Sequence, residues 1–238
     1  KKEYELADFI MVPTEYARKT FLNKGFSEKK IIKNPYGVNL KEFYFDKKLQ
    51  EKKTKFRIIY TGSISVRKGV MYLLDAFEEL SLENSELVLI GDIDEDLNTK
   101  LSEFKKNKKI IFKKSIKQNE LKNFYNVSDV FVLNSIEDGF GMVILQAMAC
   151  GLPVITTRNT GGSEIIDNDK DGYVIPIRSK KILKEKITFL YNNPSKCLKM
   201  GMIAKDKVTS KYSWDAYGKR QIDMYMSLIK NSRIWVIL

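Results

Sequence analysis

The sequence contains no histidine and only two cysteines among its 238 residues. Imidazole and thiolate are the usual ligands of zinc and related metals, so a metal site of that kind is excluded. The two cysteines, Cys150 and Cys197, are also too few for a disulfide framework, which is consistent with a reducing compartment. Cys150 lies in an apolar helical segment, and we expect it to be buried.

The chain also lacks an apolar run of about 18 residues, the length that a membrane-spanning helix requires. Its first five residues do not begin with methionine and lack the apolar core of a secretory signal. We therefore expect a cytoplasmic protein, with the inner face of the membrane as an alternative location. We also expect the chain to be cut from a longer protein.

Acidic residues are outnumbered, with 42 lysines and arginines against 30 aspartates and glutamates and a net charge of +12. A positive balance is compatible with nucleic acid, an anionic membrane surface or a phosphate-bearing substrate. The lysines cluster at positions 105–106, 108–109 and 113–114, without an arginine-rich segment or interleaved aromatic residues. We predict a solvated lysine-rich surface and no nucleic-acid partner, and leave peripheral membrane contact open.

Strand-like apolar runs alternate with helical segments from Phe56 onwards, which predicts an α/β fold with a parallel sheet and helices on its faces. The predicted strands are 56–61, 86–90, 109–112, 130–133, 154–156 and 172–176. The predicted helices begin near positions 70, 118, 142, 182, 195 and 213.

The pattern divides the chain into four parts. Residues 1–41 are predicted to form a strand–helix–strand unit, and the polar, lysine-rich residues 42–55 a linker. The main α/β domain is 56–212, followed by a terminal helix and tail, 213–238. For that helix we expect Ser213 as the N-cap, with Trp214, Tyr217 and Tyr225 as anchors.

One strand–loop–helix stretch carries most of the functional information. Its loop, 134–141, ends in Gly139-Phe140-Gly141, and a helix follows from Met142 to Cys150. The first turn of a helix offers unpaired N–H groups and the positive end of a dipole, and two glycines allow close approach of an anion. An ordinary structural unit is the alternative interpretation, but the composition favours an anion site.

Two kinds of polar side chain flank this junction. Glu137 or Asp138 is suited to accept hydrogen bonds from sugar hydroxyls. Gln146 lies one helical turn beyond Met142 on the same face, where its amide is suited to bind a ribose diol.

This stretch resembles the signature of the group-one, family-four glycosyltransferases. That pattern is an acidic residue, Gly-Phe-Gly, a short apolar run and a glutamate, with seven residues between the carboxylates. Here Asp138 and Gln146 occupy the two positions, and Glu137 is the alternative first carboxylate. The resemblance implies the GT-B architecture, of which this chain is the C-terminal, nucleotide-sugar-binding half with a remnant of the N-terminal, acceptor-binding domain.

The loop 62–69 follows a predicted strand and brings two cations, Arg67 and Lys68, to the ligand-binding edge of the sheet. Taken alone, a solvated helix start explains it equally well. Relatives place an arginine after the loop glycine and a lysine before the second glycine, both on the donor diphosphate. Lys68 matches the lysine, whereas Ser63 follows Gly62 at the arginine position and Arg67 is the neighbouring cation.

The resemblance also assigns further donor-binding residues. Ile116 lies in the segment that binds the base, where it either stacks on the ring or is buried in a turn. Glu164, in the loop Gly161-Gly162-Ser163-Glu164 that resembles the family's Gly-Gly-x-x-Glu loop, is expected to be a structural hydrogen-bond partner. The donor-binding backbone and side chains are then those of Gly62, Ser63, Ile116, Gly139, Phe140, Gly141, Met142, Val143 and Gln146.

The function implied is transfer of a sugar from a nucleoside diphosphate to a hydroxyl, with retention, in the synthesis of cell-surface polysaccharide, lipopolysaccharide or glycolipid. Glu137, Asp138, Lys68 and Arg67 are the expected catalytic residues, without metal or cofactor. The expected partners are a nucleoside-diphosphate sugar, a sugar or lipid-linked acceptor and the rest of the N-terminal domain, without which the chain is expected to be inactive. The alternatives are a non-catalytic nucleotide-binding module, which the glutamine at 146 favours, and an epimerase or phosphorylase of the same architecture.

Overall fold

The computed structural model describes residues 2–231 and contains a small N-terminal unit and a larger α/β domain. The helices are α1 (Lys2–Leu6), α2 (Glu15–Leu22), α3 (Lys47–Gln50), α4 (Val70–Leu80), α5 (Gln118–Asn126), α6 (Met142–Ala149), α7 (Gly162–Ile165), α8 (Lys180–Asn192), α9 (Pro194–Lys211) and α10 (Trp214–Asn231). The strands are β1 (Ile10–Val12), β2 (Ile31–Lys33), β3 (Phe56–Thr61), β4 (Ser85–Ile90), β5 (Ile110–Lys113), β6 (Val130–Leu133), β7 (Val154–Thr157) and β8 (Gly172–Ile175).

The larger domain is a six-stranded parallel sheet in the order β5-β4-β3-β6-β7-β8. Every residue of β4, β6 and β7 is buried, as expected for strands covered by helices on both faces. The predicted Rossmann-like sheet is therefore confirmed. From β3 the following strands, β4 and β5, lie on one side, and β6, β7 and β8 lie on the other. The carboxyl ends of β3 and β6 therefore flank a crevice, the place where ligands bind in such sheets.

Aromatic side chains fill the interior beside this crevice. Tyr60, Tyr125 and Phe131 are fully buried, and the rings of Tyr125 and Phe131 meet edge to face with centroids 5.9 Å apart. Phe43 is also fully buried, 6.0 Å from the ring of Tyr125. Burying a phenylalanine contributes about 2 to 3 kcal/mol.

Phe43 belongs to the segment 42–55, the predicted linker, which therefore contacts the larger domain directly. The segment packs into the main core through Phe43, and the Asp46 carboxylate caps α3 by accepting from the Lys48 amide at 3.1 Å. The many lysines around one apolar anchor concealed this contact in the sequence.

The N-terminal unit has the predicted strand–helix–strand form. β1 and β2 pair in parallel, and their buried side chains, Ile10, Val12 and Ile31, form a small core separate from the main one. A depression of about 600 Å³ on this unit is lined mainly by the rings of Tyr4, Phe21 and Phe26.

The terminal helix α10 begins as predicted, since the Ser213 hydroxyl accepts a hydrogen bond from the Ala216 amide at 3.0 Å. The expected anchors are wrong for Trp214 and Tyr225, which are 44% and 53% exposed. Arg220 holds the helix instead, by donating to the Asn34 side chain at 3.0 Å and to the Pro35 and Lys211 carbonyls. A guanidinium satisfies several acceptors at once, which a ring cannot do.

The predicted apolar tail, 233–238, lies outside the described residues. Within residues 2–231, no helix combines the length and the apolar character that crossing a bilayer requires.

Candidate functional site

Four loops meet where β3, β4, β5 and β6 end, and they enclose a cleft of about 300 Å³. The cleft lies at the carboxyl edge of the parallel sheet, the edge at which ligands bind in this class of fold. Its lining residues are Thr61, Gly62, Ser63, Ile90, Gly91, Asp92, Ser115, Ile116, Gln118, Leu121, Val143 and Gln146. Five of the predicted donor-binding residues, Gly62, Ser63, Ile116, Val143 and Gln146, are thus brought together.

Lys68 and Asp138, which are 70 residues apart in the chain, form a charge-assisted hydrogen bond. Their side chains are 15% and 13% exposed, so the pair is largely sheltered from solvent. The Asp138 amide also donates to the Asn159 carbonyl at 3.0 Å, which fixes the loop that carries the carboxylate. The predicted phosphate-binding cation and a predicted sugar-binding carboxylate are therefore direct neighbours.

Arg67 and Glu137 also meet, but through the backbone. The Arg67 guanidinium donates to the Glu137 carbonyl at 3.0 Å, and the Arg67 carbonyl accepts from the Ile136 amide at 2.9 Å. Both side chains are exposed, so the Glu137 carboxylate faces solvent while that of Asp138 is engaged by Lys68.

Two glycines permit this close approach of loops. Gly69 has φ +68°, and a Cβ there would lie 2.3 Å from the Asn134 carbonyl oxygen; the Asn134 amide donates to the Gly69 carbonyl at 2.8 Å. Gly141 has φ +74° and immediately precedes α6. Positive φ values of this kind favour glycine because a side chain clashes with the backbone.

The segment that leads into α6 is anchored by its aromatic residue. Phe140 is 5% exposed and packs edge to face on Tyr36, with ring centroids 5.1 Å apart. Gly139 is exposed, whereas Met142 is half-buried and packs against the main core. The Lys68–Asp138 pair thus involves the loop that leads directly into α6, whose first N–H groups have no partner inside the helix.

Gln146 lies at the floor of the cleft and is 7% exposed. Its carbonyl oxygen is 3.4 Å from the Tyr125 hydroxyl, which in turn is 2.7 Å from the Thr61 hydroxyl. Burial raises the pKa of Tyr125 well above its usual value. This neutral chain of hydroxyl and amide groups presents hydrogen-bonding atoms without a charge.

Sequence analysis missed the residues that hold the opposite wall of the cleft. The Asp92 carboxylate accepts from the Ser115 hydroxyl at 2.8 Å, and the Tyr60 hydroxyl donates to the Ser63 carbonyl at 2.6 Å. Asp92 follows Gly91 directly after β4, at the edge where the other loops meet. This position was the signal that would have identified it.

The N-terminal unit contacts the site from the other side. The Thr14 hydroxyl donates to the Gly139 carbonyl at 2.8 Å. The Glu164 carboxylate accepts from the Glu15 amide at 2.6 Å and from Lys33 at 3.0 Å, so the predicted structural role of Glu164 is confirmed. Burial and, secondarily, the charge of Glu137 raise the pKa of Tyr16.

Residues 42–207 match the family model "Glycosyl transferases group 1". The chain is 29% identical over 219 residues to a probable sucrose-phosphate synthase of Thermosipho melanesiensis, covering 86% of this chain and 48% of that protein. It is 29% identical over 207 residues to the capsular polysaccharide biosynthesis glycosyltransferase CapM of Staphylococcus aureus, covering 82% and 54%.

A solved structure, Anabaena HepE in complex with UDP, superimposes with a TM-score of 0.85 at 15% identity and covers 94% of this chain and 65% of that one. This likeness shows the GT-B fold. The chain spans about half the length of the curated relatives it matches. By the match over most of its length, the chain belongs to the group 1 glycosyl transferases.

Proposed function

We propose that this chain is the nucleotide-sugar-binding half of a retaining glycosyltransferase that moves a hexose from a nucleoside diphosphate to a hydroxyl acceptor. The observation that carries the proposal is the position of Lys68. Lys68 belongs to the loop whose first residues, Gly62 and Ser63, line the cleft, and its ammonium pairs with Asp138 in the loop that leads into α6. A diphosphate in the cleft meets this cation, the neighbouring Arg67 and the N–H groups of α6 together.

In this proposal the base and ribose occupy the cleft. Ile116 contacts the base, and the Gln146 amide holds the ribose diol. The diphosphate replaces Asp138 as the anionic partner of Lys68. Released from the lysine, the Asp138 carboxylate accepts hydrogen bonds from the sugar hydroxyls, with Glu137 as its exposed neighbour.

For these positions we propose the following reaction. The bond between the anomeric carbon and the diphosphate oxygen breaks, and the bond from the acceptor oxygen to that carbon forms on the same face. The acceptor proton passes to the leaving diphosphate, whose growing charge is stabilised by Lys68, Arg67 and the α6 amides. The proposed reaction uses no metal and no cofactor.

The acceptor side belongs to the rest of the protein. The chain is about half as long as its curated relatives, and Thr14 and Glu164 join the donor loops to a unit that we assign to the acceptor-binding domain. The CapM likeness supports a cell-surface polysaccharide product, with lipopolysaccharide or glycolipid as alternatives. We place the reaction in the cytoplasm, at the inner face of the membrane.

Calorimetry with UDP, GDP and ADP tests the donor site. UDP is the first choice because HepE was solved with it. Lys68→Ala should weaken nucleotide binding by about 10- to 100-fold, the effect of losing a charge-assisted hydrogen bond. Lys184→Ala is the matched control, since that lysine pairs with Glu79 on α4 at 2.8 Å. Equal affinity of the Lys68 variant and the wild type contradicts the proposed site.

A nucleotide-binding module without transferase activity is the second candidate. It is favoured by the glutamine at position 146, where relatives carry the second carboxylate. The intact protein separates the two, because a transferase consumes the nucleotide sugar in the presence of acceptor and a binding module does not. An epimerase of the same architecture is recognised by isomerised donor instead of glycosylated acceptor.

A further inference from the structure

Seven lysines and no acidic residue occur between positions 105 and 117, so these 13 residues carry more than half of the net charge of +12. The seven lysines, here called the lysine edge, are all exposed: Lys105, Lys106, Lys108, Lys109, Lys113, Lys114 and Lys117. They surround β5, the outermost strand of the six-stranded sheet on that side. β5 is only about 13 Å long, so the charges at its two ends lie close together.

The lysine edge differs from other lysine-bearing surfaces in its density of charge, because no other stretch of the sequence places seven lysines within 13 residues without an acidic residue between them. Some lysines elsewhere have carboxylate partners, for example Lys53 with Asp129, and Lys180 and Lys184 with Glu79. In the part of the chain that the structure describes, only Lys106 of the seven has one, the exposed Glu103. Uncompensated charge of one sign repels itself, and an anionic partner relieves that repulsion.

Protection of the edge strand explains only part of this pattern. Lysines on an edge strand discourage pairing with another sheet. Only Lys113 lies on β5 itself, and Lys109 directly precedes it. The other five lie outside the strand, in the short 3-10 helix, turn and loop that flank it, where strand pairing does not occur.

We propose that the lysine edge docks the protein on an anionic lipid surface. All seven cations are lysine; Phe112, the aromatic residue of the segment, is half-buried, and Phe104, which precedes it, is buried. A nucleic-acid site uses arginine forks and exposed rings for stacking, whereas a lipid surface of diffuse negative charge needs neither. Ser115 and Ile116 line the cleft between Lys114 and Lys117, so docking sets the cleft mouth beside the membrane.

Vesicle co-sedimentation tests the proposal. The wild-type chain should bind phosphatidylcholine vesicles that contain about 30% phosphatidylglycerol and should dissociate from them at about 0.5 M NaCl. It should not bind vesicles of pure phosphatidylcholine. The variant Lys105→Gln, Lys108→Gln, Lys113→Gln, Lys114→Gln should lose at least about tenfold in affinity, because each lysine near such a surface contributes several-fold.

The matched control removes the same charge from other elements, by Lys181→Gln, Lys199→Gln, Lys211→Gln and Lys219→Gln; these lysines are also exposed. It should bind within about twofold of the wild type. If both variants lose vesicle affinity equally, net charge alone explains the binding and the proposal is overturned. A wild-type chain that does not bind anionic vesicles also overturns it. Tighter binding to duplex DNA than to the vesicles, lost in the same variant, assigns the lysine edge to nucleic acid and also overturns it.

Thermal melts and UDP calorimetry on the same samples show whether each variant is folded. Vesicle binding does not depend on the donor, so this proposal and the proposed transferase function fail separately.

Discussion

The Glu164 carboxylate accepts a hydrogen bond from the backbone amide of Glu15 at 2.6 Å, across 149 residues of sequence. Glu15 is the first residue of α2. The amides of the first turn of a helix have no partner inside the helix. Glu164 thus fastens the N-terminal unit to the larger domain. The Thr14 hydroxyl makes a second link to the Gly139 carbonyl, so the unit also touches the loop that leads into α6.

Glu164→Ala should therefore lower the free energy of unfolding by about 1 to 2 kcal/mol, the usual effect of losing a helix cap. Most of this comes from the backbone contact, because the exposed pair with Lys33 contributes little. Urea unfolding measures the change. Glu185→Ala, at an exposed position of α8, is the control and should stay within about 0.5 kcal/mol. Similar losses of unfolding free energy in both variants would contradict the proposed capping role of Glu164.

Gly69→Ala should be strongly destabilising, by more than about 2 kcal/mol. The new Cβ would lie 2.3 Å from the Asn134 carbonyl oxygen, and φ +68° is unfavourable for alanine. The comparison is Gly218→Ala in α10, where a Cβ meets nothing within 4 Å and helix propensity favours alanine by about 1 kcal/mol. We expect the melting temperatures of the two variants to move in opposite directions.

Burial raises the pKa of both cysteine thiols, Cys150 and Cys197, to about 12. In the unfolded chain a thiol ionises near pH 8.5 to 9, so stability is full below that pH and falls as the pH rises towards 12. Each thiol should remove about 1.4 kcal/mol of stability per pH unit in that window.

Urea unfolding at about pH 8 and about pH 10 measures this loss. Cys150→Ala with Cys197→Ala should retain only the smaller loss due to buried tyrosines such as Tyr60, whose pKa burial also raises. An unchanged pH dependence in the double variant would exclude the thiols. Iodoacetamide should correspondingly label both cysteines only after unfolding.

Sequence periodicity was sufficient to predict most of the fold. The reason is that β4, β6 and β7 are covered on both faces and so appear in the sequence as short apolar runs. The alternation with helices then requires a parallel sheet. Periodicity failed where a single side chain decides the packing. The buried ring of Phe43 packs the predicted linker into the core, and Arg220, not Trp214 or Tyr225, holds α10.

The sequence predicted which residues lie at the candidate site, but it did not predict that Lys68 and Asp138 bond each other. The loop positions at the carboxyl edge of the sheet indicated that Lys68 and Asp138 are near a common ligand. That they bond each other depends on tertiary geometry, including the close approach that Gly69 permits. Asp92 was overlooked because one carboxylate after a glycine has no distinctive pattern, although its topological position matches that of the other loops.

The last prediction concerns Gln146 and the sugar of the nucleotide. If its amide holds the ribose diol, UDP should bind the wild type about 5- to 10-fold more tightly than 2′-deoxy-UDP, the effect of one or more hydrogen bonds. Gln146→Leu should abolish that preference by weakening UDP alone, and Gln146→Glu should retain it, since a carboxylate also accepts from hydroxyls. The site can accommodate either polar group, because the Tyr125 and Thr61 hydroxyls beside it adjust their donors and acceptors. If Gln146→Leu weakens the binding of both nucleotides equally, Gln146 supports the cleft floor and does not contact the ribose hydroxyls.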